Sequence, residues 1–117
     1  MSVFKTTPQD VDTLFDVNLL RQPQQEMPTP PIDTVWIPLA RLLSTTALPT
    51  GATRLEAWRE GPGGMPERLA VGETGAVEVL IPAIITFTPG DTYQLWLTAR
   101  NSRGTSTPGP VTTWTAP

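Results

Sequence analysis

Apolar and polar residues alternate with a period of two along several short stretches of this chain, most regularly from Tyr93 to Arg100. There Tyr93, Leu95, Leu97 and Ala99 interleave with Gln94, Trp96, Thr98 and Arg100. Successive side chains of a strand point to opposite faces, so the first set faces a core and the second faces outward. Thr53 to Arg59 follows the same rule, with Leu55 and Ala57 inward and Arg54, Glu56 and Trp58 outward. Ala76 to Ile81 sets Val77, Val79 and Ile81 on one face, and Pro82 assigns that strand to a sheet edge. Arg68 to Val71 reads as a short strand, as does Val111 to Thr115, with Val111 and Thr113 inward and Thr112 and Trp114 outward. Thr34 to Leu43 is apolar and β-favouring, with Pro38 marking an edge or a bulge. Turn clusters at Pro49-Thr50-Gly51, Glu60 to Gly64 and Gly72 to Gly75 punctuate the strands. Short strands with turn signals roughly every 8–12 residues predict an antiparallel sandwich or barrel.

Residues 1–31 follow a different pattern. Pro8, Pro23, Pro28, Pro30 and Pro31 break them up, and Met27 to Pro31 reads as an extended, polyproline-like spacer. Asp10 to Leu20 fits a helix, with Val11, Leu14, Phe15 and Leu19 along one face. It fits a strand equally well, with Phe15, Val17 and Leu19 alternating with Asp16 and Asn18. Either apolar face is too small to fold alone, so Phe15 and Leu19 are expected to dock on the domain or on a neighbour. The division that results is an arm over 1–31 and an all-β domain over 32–117.

Composition narrows the class. Fourteen prolines and nine glycines among 117 residues exclude a mostly helical protein. Net charge is −3, and the seven arginines never form a run, so no basic stripe for nucleic acid is visible. No apolar run approaches the roughly 20 residues that span a bilayer, and Met1 to Pro8 lacks the features of a signal peptide. With no cysteine and no histidine, thiolate and imidazole chemistry is out of reach. The eleven acidic residues sit singly among turns and outward positions, and a Ca²⁺ loop at Asp10, Asp12 and Asp16 lacks the glycine and closing glutamate it needs. Gly61 to Gly64 lacks the Lys-Ser/Thr of a phosphate cradle and reads as a hairpin turn. No catalytic residue, metal or cofactor is expected.

The segment Phe87-Thr88-Pro89-Gly90-Asp91-Thr92-Tyr93 resembles the corner that leads into strand F of fibronectin type III domains. Such a corner sends a tyrosine ring into the core while its hydroxyl bonds backbone just upstream. Tyr93-Gln94-Leu95-Trp96-Leu97-Thr98-Ala99-Arg100-Asn101, followed by Gly104 and Ser106, is similar to strand F and the opening of strand G in that family. The resemblance covers residues 53–117 best and 32–52 less well, and does not reach 1–31. It implies a two-sheet antiparallel sandwich, to which this chain adds its extended Pro-rich arm, and in which Phe87, Pro89, Gly90, Tyr93, Ala99, Asn101 and Gly104 are structural. Gly104 is expected at positive φ in the hairpin between F and G. Trp36 lies 22 residues before Trp58 and suits either the family's core tryptophan on strand B or a place on strand A.

Strands C, F and G are adjacent in this family, with F in the middle. Alternation then puts Trp58, Trp96 and Trp114 in a row on the outer face, flanked by Arg54 and Arg100. If Trp58 turned inward the row would shrink to two. Three tryptophans of about 200 Å² each exceed what a monomer normally leaves open. Three covers are open: the chain's own arm, a protein partner, or a stacked carbohydrate. Arg103-Gly104-Thr105 lacks the aspartate of an adhesion tripeptide. The reading is a non-enzymatic structural or binding module. Its first setting is a bacteriophage virion structural or decoration protein, assembled in the host cytoplasm without export and docking on neighbouring subunits in a homo- or hetero-oligomer. The alternatives are a carbohydrate-binding or adhesion module and a domain excised from a longer bacterial protein. Neither nucleic acid nor membrane is an expected partner.

Overall fold

The central strand carries the deepest burial, because it is apolar on one face and covered on the other. A computed structural model of the chain describes residues 26–117. Eight strands follow in order: β1 (Val35–Ile37), β2 (Leu42–Ser44), β3 (Arg54–Glu60), β4 (Pro66–Val71), β5 (Glu78–Leu80), β6 (Thr92–Asn101), β7 (Gly104–Thr105) and β8 (Thr112–Thr115). They form two antiparallel sheets. One runs β1-β2-β5, and the other β4-β3-β6, with β7 and β8 both paired to the free side of β6.

Tyr93, Leu95, Leu97 and Ala99 of β6 all point into the core, where they meet Leu55 and Ala57 of β3 and Leu43, Val79 and Ile81 of the opposite sheet. The alternation expected for β3, β5 and β6 is observed, and β5 lies at a sheet edge as Pro82 required. The tyrosine corner is present: the Tyr93 hydroxyl accepts the Thr88 N–H at 2.9 Å. Gly90, at φ 88°, makes the turn, and its N–H donates to the Ala116 carbonyl. Gly104 has a φ of 151°, as the hairpin demanded.

Two expectations are corrected. The stretch from Thr34 to Leu43 is a hairpin and not one strand. Pro38 offers no N–H to continue the ladder, and the chain turns over Pro38 to Arg41 before β2. Arg41 closes that turn at φ 55°, a conformation uncommon for a side-chain-bearing residue. Its guanidinium offsets the strain by donating to the carbonyls of Ile81, Pro82 and Ile85. The second correction concerns β8. Trp114 lies directly across from Tyr93, so it shares the inward face, while Thr113 is exposed and Val111 is 52% exposed ahead of the strand. A register shift of one residue exchanges the two faces, and burying the indole outweighs burying the valine.

Trp36 belongs to β1, which settles its placement on the first strand. Its ring packs edge-on to Trp114 at 5.4 Å and beside Phe87 at 5.9 Å, and Phe87 meets Tyr93 at 5.0 Å. Arg59 lies over the rings of both Phe87 and Tyr93. Half of the tryptophans therefore close one end of the core.

Residues 26–31, which the sequence assigns to the arm, run along the sandwich. Pro28 and Pro31 are buried, Thr29 N–H donates to the Thr50 carbonyl, and the buried Asn101 amide donates to the carbonyls of Glu26 and Gly51. A Cβ on Gly109 would sit 3.0 Å from the Pro31 carbonyl oxygen, so any larger residue would push the segment off by a few tenths of an ångström. Asp33 then stitches the chain to the β2 exit by accepting from Thr45 and Thr46. Phe15, Leu19, the helix-or-strand choice for Asp10 to Leu20 and the three aspartates there fall outside the described residues.

Tyr93→Phe leaves the Thr88 N–H without its acceptor and should cost about 1–3 kcal/mol in urea unfolding. Hydrogen bonds from both threonines hold the Asp33 carboxyl below its ordinary 3.8. A depressed carboxyl stabilises the fold above 3.8, and that contribution fades as pH falls through and below it. The melting-temperature gap between the wild type and Asp33→Asn should therefore be full at pH 6 and shrink in acid. A gap that does not change with pH would refute the assignment.

Candidate functional site: a tryptophan groove on the outer sheet face

The outward residues of β3 and β6 meet in register, so residues far apart in sequence become neighbours. Trp58 lies directly across from Trp96, with ring planes 2° apart and centroids 6.4 Å apart. Glu56 lies across from Thr98, and Arg54 across from Arg100. Such cross-strand pairs are the elementary contacts of a sheet face.

This face is not simply solvated. Trp96, Thr98 and Glu56 are all buried, and Glu56 is only 2% exposed. One polar network explains how a carboxylate is accommodated there. Trp58 Nε1 donates to Thr98 Oγ1 at 2.9 Å, and that hydroxyl donates to Glu56 Oε1 at 3.0 Å. Thr105 Oγ1 donates to the same oxygen at 3.4 Å. Arg68 Nη1 at 2.9 Å and Arg100 Nη1 at 3.3 Å share Glu56 Oε2. Both guanidinium groups remain about half exposed, so they satisfy the buried carboxylate and keep donors free for a ligand.

Beside the network, Trp58, Pro66, Trp96, Thr98, Thr105 and Pro108 line a groove of about 270 Å³. Its floor is the paired indoles and its walls are two prolines. A β-bulge opens that side. Ala57 pairs with Ala70 but Trp58 pairs with Arg68, so β4 has one extra residue, Leu69, which turns into the core. The shift brings Arg68 onto the outer face, next to Glu56.

The structure brings together Trp58, Trp96 and Arg100 and keeps Arg54 at the same face's end, where its Nε donates to Thr74. It removes Trp114 from the row for the register reason given above. The row is thus a pair, with Trp58 outward. Glu56 and Arg68 were missed: alternation places Glu56 outward, and its partners Arg68, Thr98, Arg100 and Thr105 are all distant in sequence. The Met27 to Pro31 segment is absent from the groove lining and passes instead by Gly51 and Gly109. Among the described residues no group of three His, Cys, Asp or Glu could hold a metal ion.

No family model matches this chain, and no curated protein matches it. A solved structure does: the twitchin kinase region from C. elegans, a multidomain chain spelled out as Fn31-NL-kin-CRD-Ig26. Identity is 22% and the TM-score 0.58, over 79% of this chain and 17% of that one. The chain thus spans less than a fifth of that structure's length. The likeness is one of fold, an all-β antiparallel sandwich of the fibronectin type III and immunoglobulin kind.

Glu56→Ala removes the common acceptor of Thr98, Arg68 and Arg100 and should cost about 1–3 kcal/mol in denaturant unfolding. Because Thr98 also holds the Trp58 indole, near-ultraviolet circular dichroism should lose tryptophan fine structure in the folded variant. An unaltered spectrum would show that the network does not order the indoles.

Proposed function

We propose that this chain is a non-enzymatic docking module of a multi-subunit assembly, a bacteriophage virion structural or decoration protein. Its N-terminal arm engages the tryptophan groove of a neighbouring subunit. The fold fits a structural or binding module. The observation that carries the docking reading is the groove itself. An aromatic floor with proline walls and two half-exposed arginines is held in place by a saturated hydrogen-bond network before any partner arrives. Preorganisation lowers the ordering cost of binding, and tryptophan with arginine is the composition of interface hot spots.

The arm suits this groove. Asp10, Asp12 and Asp16 alternate with Val11, Leu14, Phe15, Val17 and Leu19, and the nearest cations are Lys5 and Arg21. Phe15 and Leu19 offer apolar anchors, and the negative charge of the aspartates complements that of Arg68 and Arg100.

A synthetic peptide of residues 1–25 should bind the full-length Phe15→Asp, Leu19→Asp variant, whose own arm is disabled. The expected readout is a saturable change in tryptophan fluorescence. Trp58→Ala should weaken binding by at least tenfold, and raising the salt should weaken it further. Absence of a signal would overturn arm docking, and a response to a glycan panel instead would favour the carbohydrate-binding alternative. Co-purification of the chain with virus particles tests the virion setting.

A further inference from the structure

Among the described residues, the opposite sheet presents an apolar surface that lies apart from the tryptophan groove. On its outer face Ile37 pairs with Leu42, and Leu42 pairs with Leu80, so three aliphatic side chains cross all three strands in one row. Leu80 is 63% exposed. At the end of that row two turns project, Pro38-Leu39-Ala40 and Pro82-Ala83-Ile84, and all six residues are exposed. Turns are normally polar, yet Leu39 at 101% and Ile84 at 86% are the two most exposed large apolar residues described. Arg41 fixes the turns side by side, since one guanidinium nitrogen donates to the carbonyls of both Pro82 and Ile85. The strained φ at Arg41 belongs to the device that presents them.

We infer that this surface, the Ile37-Leu42-Leu80 row with the Leu39 and Ile84 turns, is an isologous interface with a second copy of this chain. Three features favour a copy of itself. The row lies across an antiparallel sheet of three strands, and two such faces stack at about 10 Å. Among the described residues the only formal charge on the sheet face is Glu78, which lies at the far end of the strands opposite Ser44, so a two-fold mate buries no charge against the row. The exposed aliphatic groups amount to roughly 500 Å², at the upper end of what a monomer shows. With a polar rim they approach the roughly 800 Å² per partner of a stable interface. A membrane fits less well, because Arg41, the cation beside the turns, is spent on backbone carbonyls. This interface is independent of the docking reading above.

The test uses the full chain in sedimentation equilibrium. Leu39→Asp with Ile84→Asp changes only solvent-facing side chains and should leave the melting temperature in place. On a Phe15→Asp, Leu19→Asp background, which removes arm docking, the chain should still dimerise, and adding the double substitution should make it dissociate at least ~30-fold more readily. The chain has no cysteine, so single cysteines report position cleanly. Leu39→Cys should cross-link across the dimer, and Met65→Cys, beside the groove on the other sheet, should not. A background chain that stays monomeric at all concentrations would overturn the inference. Cross-linking through position 65 and not 39 would also overturn it, and would assign association to the groove. Flotation with phosphatidylcholine vesicles that the double variant loses would replace the second copy with a lipid surface.

Discussion

Burial of both faces of β6 is the constraint on which this molecule depends. Strands in an antiparallel sandwich usually face the core on one side and water on the other. Here Tyr93, Leu95, Leu97 and Ala99 fill the core, and Trp96 and Thr98 are buried on the other face. The first set determines the architecture, since β3, β7 and β8 take their register from this strand. The second set makes the outer face a built surface, with paired indoles and a carboxylate that two arginines and two threonines satisfy. A buried carboxylate without those partners would be costly, which is why Glu56, Thr98, Arg68 and Arg100 act as one unit.

The four tryptophans divide between two tasks. Trp36 and Trp114 pack with Phe87 and Tyr93 to close the end of the core, under the guanidinium of Arg59. Trp58 and Trp96 form the floor of the groove. The two sheets present different chemistry outward as well. One offers indoles with arginines, and the other offers aliphatic residues with almost no charge. Under the proposed assembly role, these two unlike faces would serve two different contacts, one with a partner's arm and one with a second sheet face.

Much of this was legible in the sequence, and the failures have physical causes. The tyrosine corner and the alternation from Tyr93 to Ala99 were readable because ten strand residues repeat one phase, leaving no second solution. Over Val111 to Thr115 both phases satisfy a period of two. Only pairing with Tyr93 turns Trp114 inward, and that pairing is not local. The hairpin at Pro38 to Arg41 gave no turn signal, because an arginine held by three carbonyls occupies the position where glycine is usual. Glu56 read as a solvated charge, since its burial comes from residues 12 and 44 positions away. Local periodicity thus identified most of the strands and the outward Trp58 and Trp96, and long-range pairing turned Trp114 inward and decided which polar residues joined the pair.

Whether the outer face of β6 receives the arm of a neighbouring subunit, as proposed, can be examined at the groove itself. A photo-reactive side chain at Thr105, on the exposed rim, would be activated in the assembled full-length protein and its products mapped by mass spectrometry, with isotope-labelled and unlabelled subunits mixed beforehand. The account predicts products that join a labelled rim to unlabelled residues between 10 and 20. Products confined within single chains, or none reaching that segment, would contradict it.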